Sequence, residues 1–381
     1  MSTRHADPWP DLAAAQSFLL FLTGATKVTD FPFHTDAEFE ALAYWLTERD
    51  LGPLAYARCR TVCLQLANYL QAELYLTAGQ NSLHWRNLRN IDQRFARDQL
   101  AVVLLKGAAL AETVYSGQEQ RAMSDVDIWL QGKDIGPACR LMDDLEFYSY
   151  EKTNRPLALQ ALANGEIEFY SLDQPPTLVE MHFSPFPGWW FQRTANVDSS
   201  EVWSRKERID GWQTFYQLAA EDAVIHVAVH LAVNHQFGLA AVRNLIDIAL
   251  LDQVRDVNWD IVADRAQQWR LATAVWLVLS QVDQLIGVPR LKKALDRLQP
   301  SAWRRRQLKR FITPQSILAD KDIRDGQERY LFLLLLVDRP RDAARLMART
   351  LWPEDEWLDA RYGGGVDHWQ HIRRLIIQRE V

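Results

Sequence analysis

Two aspartates, Asp125 and Asp127, open the apolar run DVDIWL and form the densest group of chemically active side chains in the sequence. Side chains along a β-strand alternate between its two faces, so a strand here turns both carboxylates to one face and buries the residues that alternate with them on the other. The two carboxylates would then stand about 6.6 Å apart along the strand, close enough to share metal ions. The spacing predicts a divalent metal site at the start of a buried strand.

A third carboxylate is expected from a second strand, residues 177–183 (TLVEMHF), in which Glu180 and His182 share a face by the same alternation. If this strand pairs beside the aspartate strand, Glu180 completes a site of three carboxylates. Glu168, on the preceding run, is the competing candidate. We prefer Glu180, because Glu166 and Glu168 alternate with apolar residues as an ordinary solvated strand face does.

Lys106 and Gly107 follow a short apolar run, residues 101–105, at a predicted strand-to-helix turn. Glycine lets a ligand approach the backbone closely, a helix N-terminus presents free N–H groups, and lysine supplies a point charge. Arg121 lies just upstream of the aspartate pair, and Ser124 lies directly beside it. We therefore predict that Lys106, Gly107, Arg121 and Ser124 bind the phosphates of a nucleotide.

The chemistry that such a site supports is two-metal nucleotidyl transfer. Mg²⁺ (or Mn²⁺) takes one or two carboxylates together with substrate phosphates, which suits Asp125 and Asp127. One ion would hold the triphosphate of an NTP. The other, bridged to Glu180, would lower the pKa of an acceptor hydroxyl for attack at the α-phosphorus, and pyrophosphate would leave. These three carboxylates are thus the predicted catalytic residues and metal ligands.

Other polar residues are expected to support this site. His182 is predicted to act as a hydrogen-bond partner of the metal site and not as a base. Further along the chain, His230 lies on a predicted helix whose polar positions repeat every four residues. We expect His230 to bond to Arg243 or Asp247 across two packed helices, with a place for His230 or Arg243 in the substrate cleft as the alternative.

The elements that must position these residues divide the chain into three predicted parts: an N-terminal helical region (1–99), a core (100–218) and a C-terminal helical domain (219–381). Apolar residues recur at helical spacing in 8–24, 36–50 and 53–100, and the last of these helices could divide near Gly79. The core mixes strands with helices and contains a hairpin that joins 166–172 to 177–183. The predicted fold class is α+β, a small mixed sheet with helices between helical regions.

Composition excludes several classes of protein. The 381 residues are 48% apolar and 24% charged, which is typical of a folded chain, and the net charge of −6 argues against general nucleic-acid binding. The longest apolar runs, residues 271–279 and 330–337, are far shorter than the roughly 20 residues that span a bilayer, so no membrane association is expected. Three scattered cysteines and an N-terminus without an apolar segment predict a cytoplasmic location.

Three stretches together resemble the uncharacterised nucleotidyltransferase family of the polymerase-β-like superfamily: LKGAAL at 105–110, RAMSDVD at 121–127 and VEMH at 179–182. The resemblance implies a minimal nucleotidyltransferase core between helical regions, with NTP and Mg²⁺ use and no single agreed substrate. The chain departs from the wider superfamily at Ala108, where a residue with a hydroxyl or a second glycine is usual. Direct phosphate contact would then fall to the backbone and Lys106.

The sequence leaves two functions open. The first is an enzyme that moves an NMP from an NTP to an unidentified hydroxyl on a small molecule, a protein side chain or an RNA end. The alternative is a catalytically inactive protein of the same fold that serves as an NTP sensor or a protein-interaction platform. Metal-dependent NTP binding without turnover would indicate the alternative.

Overall fold

The computed structural model describes residues 8–26, 33–149, 159–160, 162, 165–321 and 326–377. Within these residues, seven strands form one mixed sheet in the order β3-β4-β5-β2-β1-β7-β6. The β2–β5 and β1–β7 pairs are parallel, and the other neighbours are antiparallel. The strands are β1 (Val102–Leu104), β2 (Val126–Trp129), β3 (Tyr148–Ser149), β4 (Glu166–Tyr170), β5 (Leu178–His182), β6 (Glu207–Arg208) and β7 (Phe215–Gln217).

The register of three central strands brings acidic residues together on one face of the sheet. In the parallel β2–β5 pair, Asp127 lies beside Glu180, and in the antiparallel β4–β5 pair, Glu180 lies opposite Glu168. His182, two residues further along β5, lies opposite Glu166. Residues directly opposite each other project to the same side of a sheet, so this face, which we call the acidic face, carries all five side chains.

Four helices precede the sheet: α1 (Leu12–Leu22), α2 (Asp36–Thr47), α3 (Gly52–Cys59) and α4 (Leu64–Arg97). Helix α2 begins with a capping box, in which the Thr35 hydroxyl accepts from the Glu38 N–H and the Glu38 carboxylate accepts from the Thr35 N–H. The predicted break near Gly79 is wrong, because α4, which is 34 residues long, passes through Gly79 without interruption. The helical region divides instead at 60–63, before α4 begins.

Short helices connect the strands: α5 (Lys106–Thr113), α6 (Gly132–Asp144), α7 (Trp189–Thr194) and α8 (Ser199–Ser204). After the sheet, α9 (Ala220–Val229) continues directly into a π-helical turn at His230–His235. The remaining helices are α10 (Ala241–Arg255), α11 (Trp259–Gln268), α12 (Ala272–Leu285), α13 (Lys292–Leu298), α14 (Ala302–Leu308), α15 (Pro314–Leu318), α16 (Gly326–Leu336), α17 (Pro340–Leu351), α18 (Asp355–Tyr362) and α19 (His368–Ile377).

Two apolar clusters enclose the sheet. One packs α4 and α6 against the face opposite the acidic face, where the α4 stripe of Leu88, Ile91 and Phe95 is fully buried, as its spacing predicted. The other joins α1–α3, the C-terminal helices and the side of the sheet that carries Trp129. Because these helices lie on the acidic face side, they form the walls around its polar residues. The predicted α+β class with flanking helices is confirmed.

Both long apolar runs lie in helices that pack into the interior. The first falls within α12, where Leu277 and Leu279 are buried, and the second within α16, where Phe332 and Leu336 are buried. Both runs thus contribute apolar side chains to the interior, although Leu331 in the second run is exposed. Among the helices of the described residues, none combines the length and the apolar character needed to cross a membrane.

Candidate active site

A cavity of about 480 Å³ opens where the acidic face meets the π-helical turn, α10 and the aromatic segment at 187–191. Strands β2 and β5 supply its acidic floor, and the first turn of α5 supplies Lys106 and Gly107. The predicted site residues all line this cavity: Lys106, Gly107, Arg121, Ser124, Asp125, Asp127, Glu180, His182, His230, Arg243 and Asp247. Residues separated by more than a hundred positions in the chain therefore face one space.

Asp127, Glu180 and His182 are close enough to hold one metal ion. One ligand atom from each lies within 4.8 Å of the other two. Carboxylate oxygens suit Mg²⁺ and Mn²⁺, and an imidazole nitrogen is a ligand that Mn²⁺ accepts more readily than Mg²⁺ does. The predicted ligand Asp125 lies outside this close group, although it lines the same cavity. His182, predicted only as a supporting residue, thus lies among the candidate ligands.

Lys106 pairs directly with the central carboxylate of the site. Its Nζ donates to Asp127 Oδ1 at 2.6 Å, and both side chains are largely buried. Lys106 has a backbone φ of 44°, in the left-handed region, at the point where the chain turns from β1 into α5. The ammonium group therefore lies among the carboxylates and not out toward the cavity mouth.

The pKa values of these groups shift in opposite directions. Burial favours the neutral form of Asp127, yet the charge of Lys106 and the hydrogen bond from His182 hold its pKa well below the usual range. Burial and the charge of Asp127 raise the pKa of Glu180 well above its usual value. The same two causes raise the pKa of Asp125, against the opposing charge of Lys106. Lys106 is thus the cation that interacts with all three carboxylates, so the negative charges of the cluster outnumber its positive charge.

His182 links the metal group to the neighbouring strand. Its Nε2 lies 2.7 Å from Asp127 Oδ1, and its Nδ1 lies 3.5 Å from Glu166 Oε2. Glu166 lines the cavity, and Glu168 is only 3% exposed, so the prediction that these two glutamates form a solvated strand face is wrong. Alternation showed that the two faces of β4 differ. It did not show that distant helices cover the acidic face.

Arg121 is held in a buried ion pair beneath the turn. Its Nε and Nη2 donate to Asp247 Oδ1 and Oδ2 at 3.0 and 2.8 Å, and the Tyr115 hydroxyl donates to Asp247 Oδ1 at 2.7 Å. A Cβ placed on Gly107 would lie only 3.2 Å from Arg121 Nη1, so a larger residue here would push against the guanidinium. Arg121 therefore connects the turn and the aspartate loop to α10.

The expected hydrogen bonds of His230 to Arg243 or Asp247 are replaced by other contacts. Asp247 accepts from Arg121 and Tyr115, while Arg243 Nη1 donates to Asp50 Oδ2 at 2.5 Å. The His230 ring lies 4.5 Å from the ring of His235 on the π-helical turn, and both line the cavity. Burial lowers the pKa of His235 to about 4 and that of His230 well below its usual value.

Several cavity residues went unnoticed in the sequence. The sequence could have indicated Glu166, because alternation placed it on the same strand face as Glu168, the competing candidate for the third carboxylate. Asp50, which contacts the cavity residue Arg243 but does not itself line the cavity, carried no signal, since it lies in the turn after α2, 193 positions from Arg243. The aromatic segment, which includes Trp189 and Phe191, leads into α7 and was not among the predicted site residues.

In this mixed sheet, a strand–turn–helix unit leads to Asp125 and then to Asp127 in β2. The parallel strand β5 carries Glu180 beside Asp127, and this arrangement defines a nucleotidyltransferase-like fold. The family described as uncharacterised nucleotidyltransferase matches residues 35–287, and the chain belongs to this family. The family predicted from the three sequence stretches is confirmed. Comparison with curated proteins gave no significant match, and comparison with solved structures gave none either.

Proposed function

We propose that this protein transfers an NMP from an NTP to a hydroxyl acceptor, with Mg²⁺ or Mn²⁺ as cofactor and pyrophosphate as the leaving group. The observation that carries the proposal is the group of three carboxylates, Asp125, Asp127 and Glu180, around a single lysine on the floor of a large cavity. Membership of a nucleotidyltransferase family supports the reaction class.

The residues of the site fit a divalent cation. Three carboxylates share one ammonium group, and the pKa of Glu180 is raised by burial and by Asp127, so added positive charge would stabilise the cluster. Asp127 and Glu180 would hold the ions together with Asp125, and His182 would orient Asp127 or join the ligands. A bound divalent ion neutralises the phosphates and lowers the pKa of an acceptor hydroxyl.

The chain's own residues then prepare both substrates. Glu180 lines the cavity beside Asp127 and is the carboxylate that would assist deprotonation of the acceptor hydroxyl. Ser124 donates to Asp125 Oδ1 at 3.2 Å and so holds that carboxylate in the cavity wall. The first backbone N–H groups of α5, at Lys106 and Gly107, are available to phosphate oxygens, and Arg121 adds positive charge beneath them.

The cavity bounds the acceptor without identifying it. Its walls combine aromatic side chains, including Trp189 and Phe191, with the neutral histidines His230 and His235. A small molecule, a protein side chain or an RNA end would each present a hydroxyl to such a space. General nucleic-acid binding is not part of the proposal, because the chain carries a net charge of −6.

One observation favours the second candidate function, an NTP sensor or interaction platform without turnover. Asp125 lies outside the close group formed by Asp127, Glu180 and His182, so two of the three predicted ligands lie together. A protein of this fold that binds NTP and metal but lacks a complete set of ligands would bind without reacting.

The test is incubation of the purified protein with each α-labelled NTP, Mg²⁺ or Mn²⁺ and a mixture of acceptors, followed by measurement of pyrophosphate and transferred label. Asp127→Asn and Glu180→Gln should abolish both signals. Glu168→Gln is the matched control, because Glu168 lies opposite Glu180 on the acidic face but does not line the cavity.

Each result points to one function. Label transfer that is lost in the two variants and kept in the control supports the enzyme. Metal-dependent NTP binding in a thermal-shift assay, without label transfer, supports the sensor. If the protein neither binds NTP nor transfers label, the enzyme and the NTP sensor are both wrong, and only the fold assignment stands.

A further inference from the structure

Three cationic side chains, Lys106, Arg121 and Arg243, line the cavity in the described part of the chain. Two of them are already paired with buried carboxylates. Lys106 contacts Asp127, which is 3% exposed, and Arg121 forms a two-point pair with Asp247, which is fully buried. Neither group can leave its partner without stranding a buried charge, which is strongly unfavourable.

Arg243 is paired differently. Its Nη1 donates to Asp50 Oδ2, and the side chain of Asp50 is 49% exposed while that of Arg243 is 14% exposed. The Arg243 Nε is buried and has no hydrogen-bond partner among the described residues. A half-exposed ion pair contributes little net stability, and a carboxylate that reaches water can leave its partner without becoming a buried charge.

The position of Arg243 matches the phosphate side of the cavity. Its Nη1 lies 3.4 Å from the Ala122 carbonyl oxygen, to which Arg121 Nη1 also donates. Arg121 in turn packs against Gly107 at the start of α5. Burial and the neighbouring charge of Arg121 lower the pKa of Arg243, so a second anion beside this guanidinium would be stabilised.

We propose that Arg243 binds the terminal phosphates of the NTP and that Asp50 occupies this guanidinium until the nucleotide arrives. The inference rests on the proposed function, and it names the part of the nucleotide that Arg243 binds. A guanidinium presents two parallel N–H groups to phosphate oxygens, a geometry that a single carboxylate contact leaves partly unused.

Binding measurements by calorimetry test this proposal. The four NTPs, the matching NMPs and inorganic tripolyphosphate, each with Mg²⁺, are titrated into wild type and variants. Arg243→Gln should weaken binding of the NTP and of tripolyphosphate by about 10- to 100-fold and leave NMP binding unchanged, because an NMP lacks the terminal phosphates. Asp50→Asn should strengthen NTP binding several-fold, since it removes the competing carboxylate.

The chain offers a close control on the same helix. Arg255 pairs with Glu207 at 2.6 Å, with side chains 11% and 51% exposed, and lies outside the large cavity. Arg255→Gln should leave all affinities unchanged. Arg243→Lys, which keeps the charge, should fall between wild type and Arg243→Gln and provides the test if the glutamine variant does not fold.

The results separate this proposal from the proposed function. If Arg243→Gln binds NTP as tightly as wild type, or loses NMP and NTP affinity equally, Arg243 is not the terminal-phosphate residue, while NTP binding by the wild type leaves the proposed function standing. If wild type binds none of the NTPs, the proposed function fails and this inference fails with it.

Discussion

Asp127 interacts with several ionisable groups of the site. Its Oδ1 accepts from Lys106 Nζ and lies 2.7 Å from His182 Nε2, and Glu180 lies beside it on β5. Its charge raises the pKa of Glu180, while Lys106 and His182 keep Asp127 itself ionised. A change in any one of these side chains therefore alters the protonation of the others.

Lys106→Met should destabilise the protein by about 3 kcal/mol, because it leaves a buried carboxylate group without its cation. Added Mg²⁺ should recover part of that loss in the variant and should raise its melting temperature more than that of wild type. Thermal unfolding across a Mg²⁺ series measures both effects.

The matched control is Lys293→Met, which removes a pair of the same 2.6 Å length between Lys293 and Asp260 on the surface. Its cost should stay below about 1 kcal/mol, with no change in the Mg²⁺ response. Equal effects of the two substitutions would contradict the assignment of Lys106 as the cation of the carboxylate group.

The burial of His226 predicts that the stability of the folded protein decreases in acid. It is 2% exposed, and burial together with the charge of Lys106 lowers its pKa from 6.5 to about 3. Between these values the unfolded chain binds a proton that the folded protein does not bind, so stability falls as the pH falls. His226→Leu should reduce this pH slope of the free energy of unfolding by about 1.4 kcal/mol per pH unit. Urea denaturation of both proteins from pH 7 to 4 measures it, and parallel profiles would contradict the prediction.

Residue patterns predicted part of the site. Alternation predicted that Asp127 shares a face with Asp125 and that Glu180 shares a face with His182. The pairing of the two strands was a condition of the predicted site, and the structure has Asp127 beside Glu180 in β2 and β5. The pairing of Asp50 with Arg243 could not be predicted, because contacts between distant segments depend on how the helices pack. The prediction that Glu168 faces solvent was wrong for the same reason, since a local pattern does not reveal what covers a strand.

At the scale of elements, α4 shows how packing overrides local propensity. Glycine weakens a helix interior, which made Gly79 the expected break, yet α4 runs through it because the helix is held along its length by buried residues such as Leu70 and Leu88. The real break falls at residues 60–63, where the structure shows a turn between α3 and α4 and not a continuous helix. Element type was predictable here, and the boundary was not.

Gly79→Ala should stabilise the protein by about 0.5 to 1 kcal/mol, because Gly79 is helical and an added Cβ meets nothing within 4 Å. Gly211→Ala is the matched control. Its added Cβ is equally free of contacts, but its φ of 79° is unfavourable for alanine, so it should destabilise by about 1 kcal/mol. Denaturant midpoints compare the two, and the same sign of change in both would show that backbone conformation is not the cause.

At the scale of the whole molecule, the helical regions complete the core that the sheet begins. Trp45 Nε1 and Arg49 Nη2 in the N-terminal helices donate to the carbonyl oxygen of Leu318 at the far end of the chain, at 2.9 and 3.0 Å. The larger apolar cluster contains residues from both sides of the boundaries predicted at 99/100 and 218/219, including Trp129. Those boundaries stay a prediction, and the sheet depends on both neighbours for its cover.

A fragment of residues 100–218 should not fold cooperatively, because removing its neighbours exposes the acidic face and apolar residues such as Trp129 to water. The full chain should unfold with coincident transitions in circular dichroism and tryptophan fluorescence. A sharp thermal transition of the isolated fragment would contradict this dependence.

The order of the strands also has a consequence for how the site comes into being. Strands β4 and β5 are adjacent in sequence, and Asn87 on α4 donates to Asp173 and Thr177 in the segment that joins them, whereas Asp127 and His182 are 55 positions apart. Hairpins close quickly, while contacts across long loops form late because loop closure costs entropy. Glu180 and His182 should therefore come into contact with β2 in one step, when the preformed hairpin pairs with that strand. During refolding, we expect the capacity to bind a divalent ion to appear abruptly, with the slowest phase that completes the sheet.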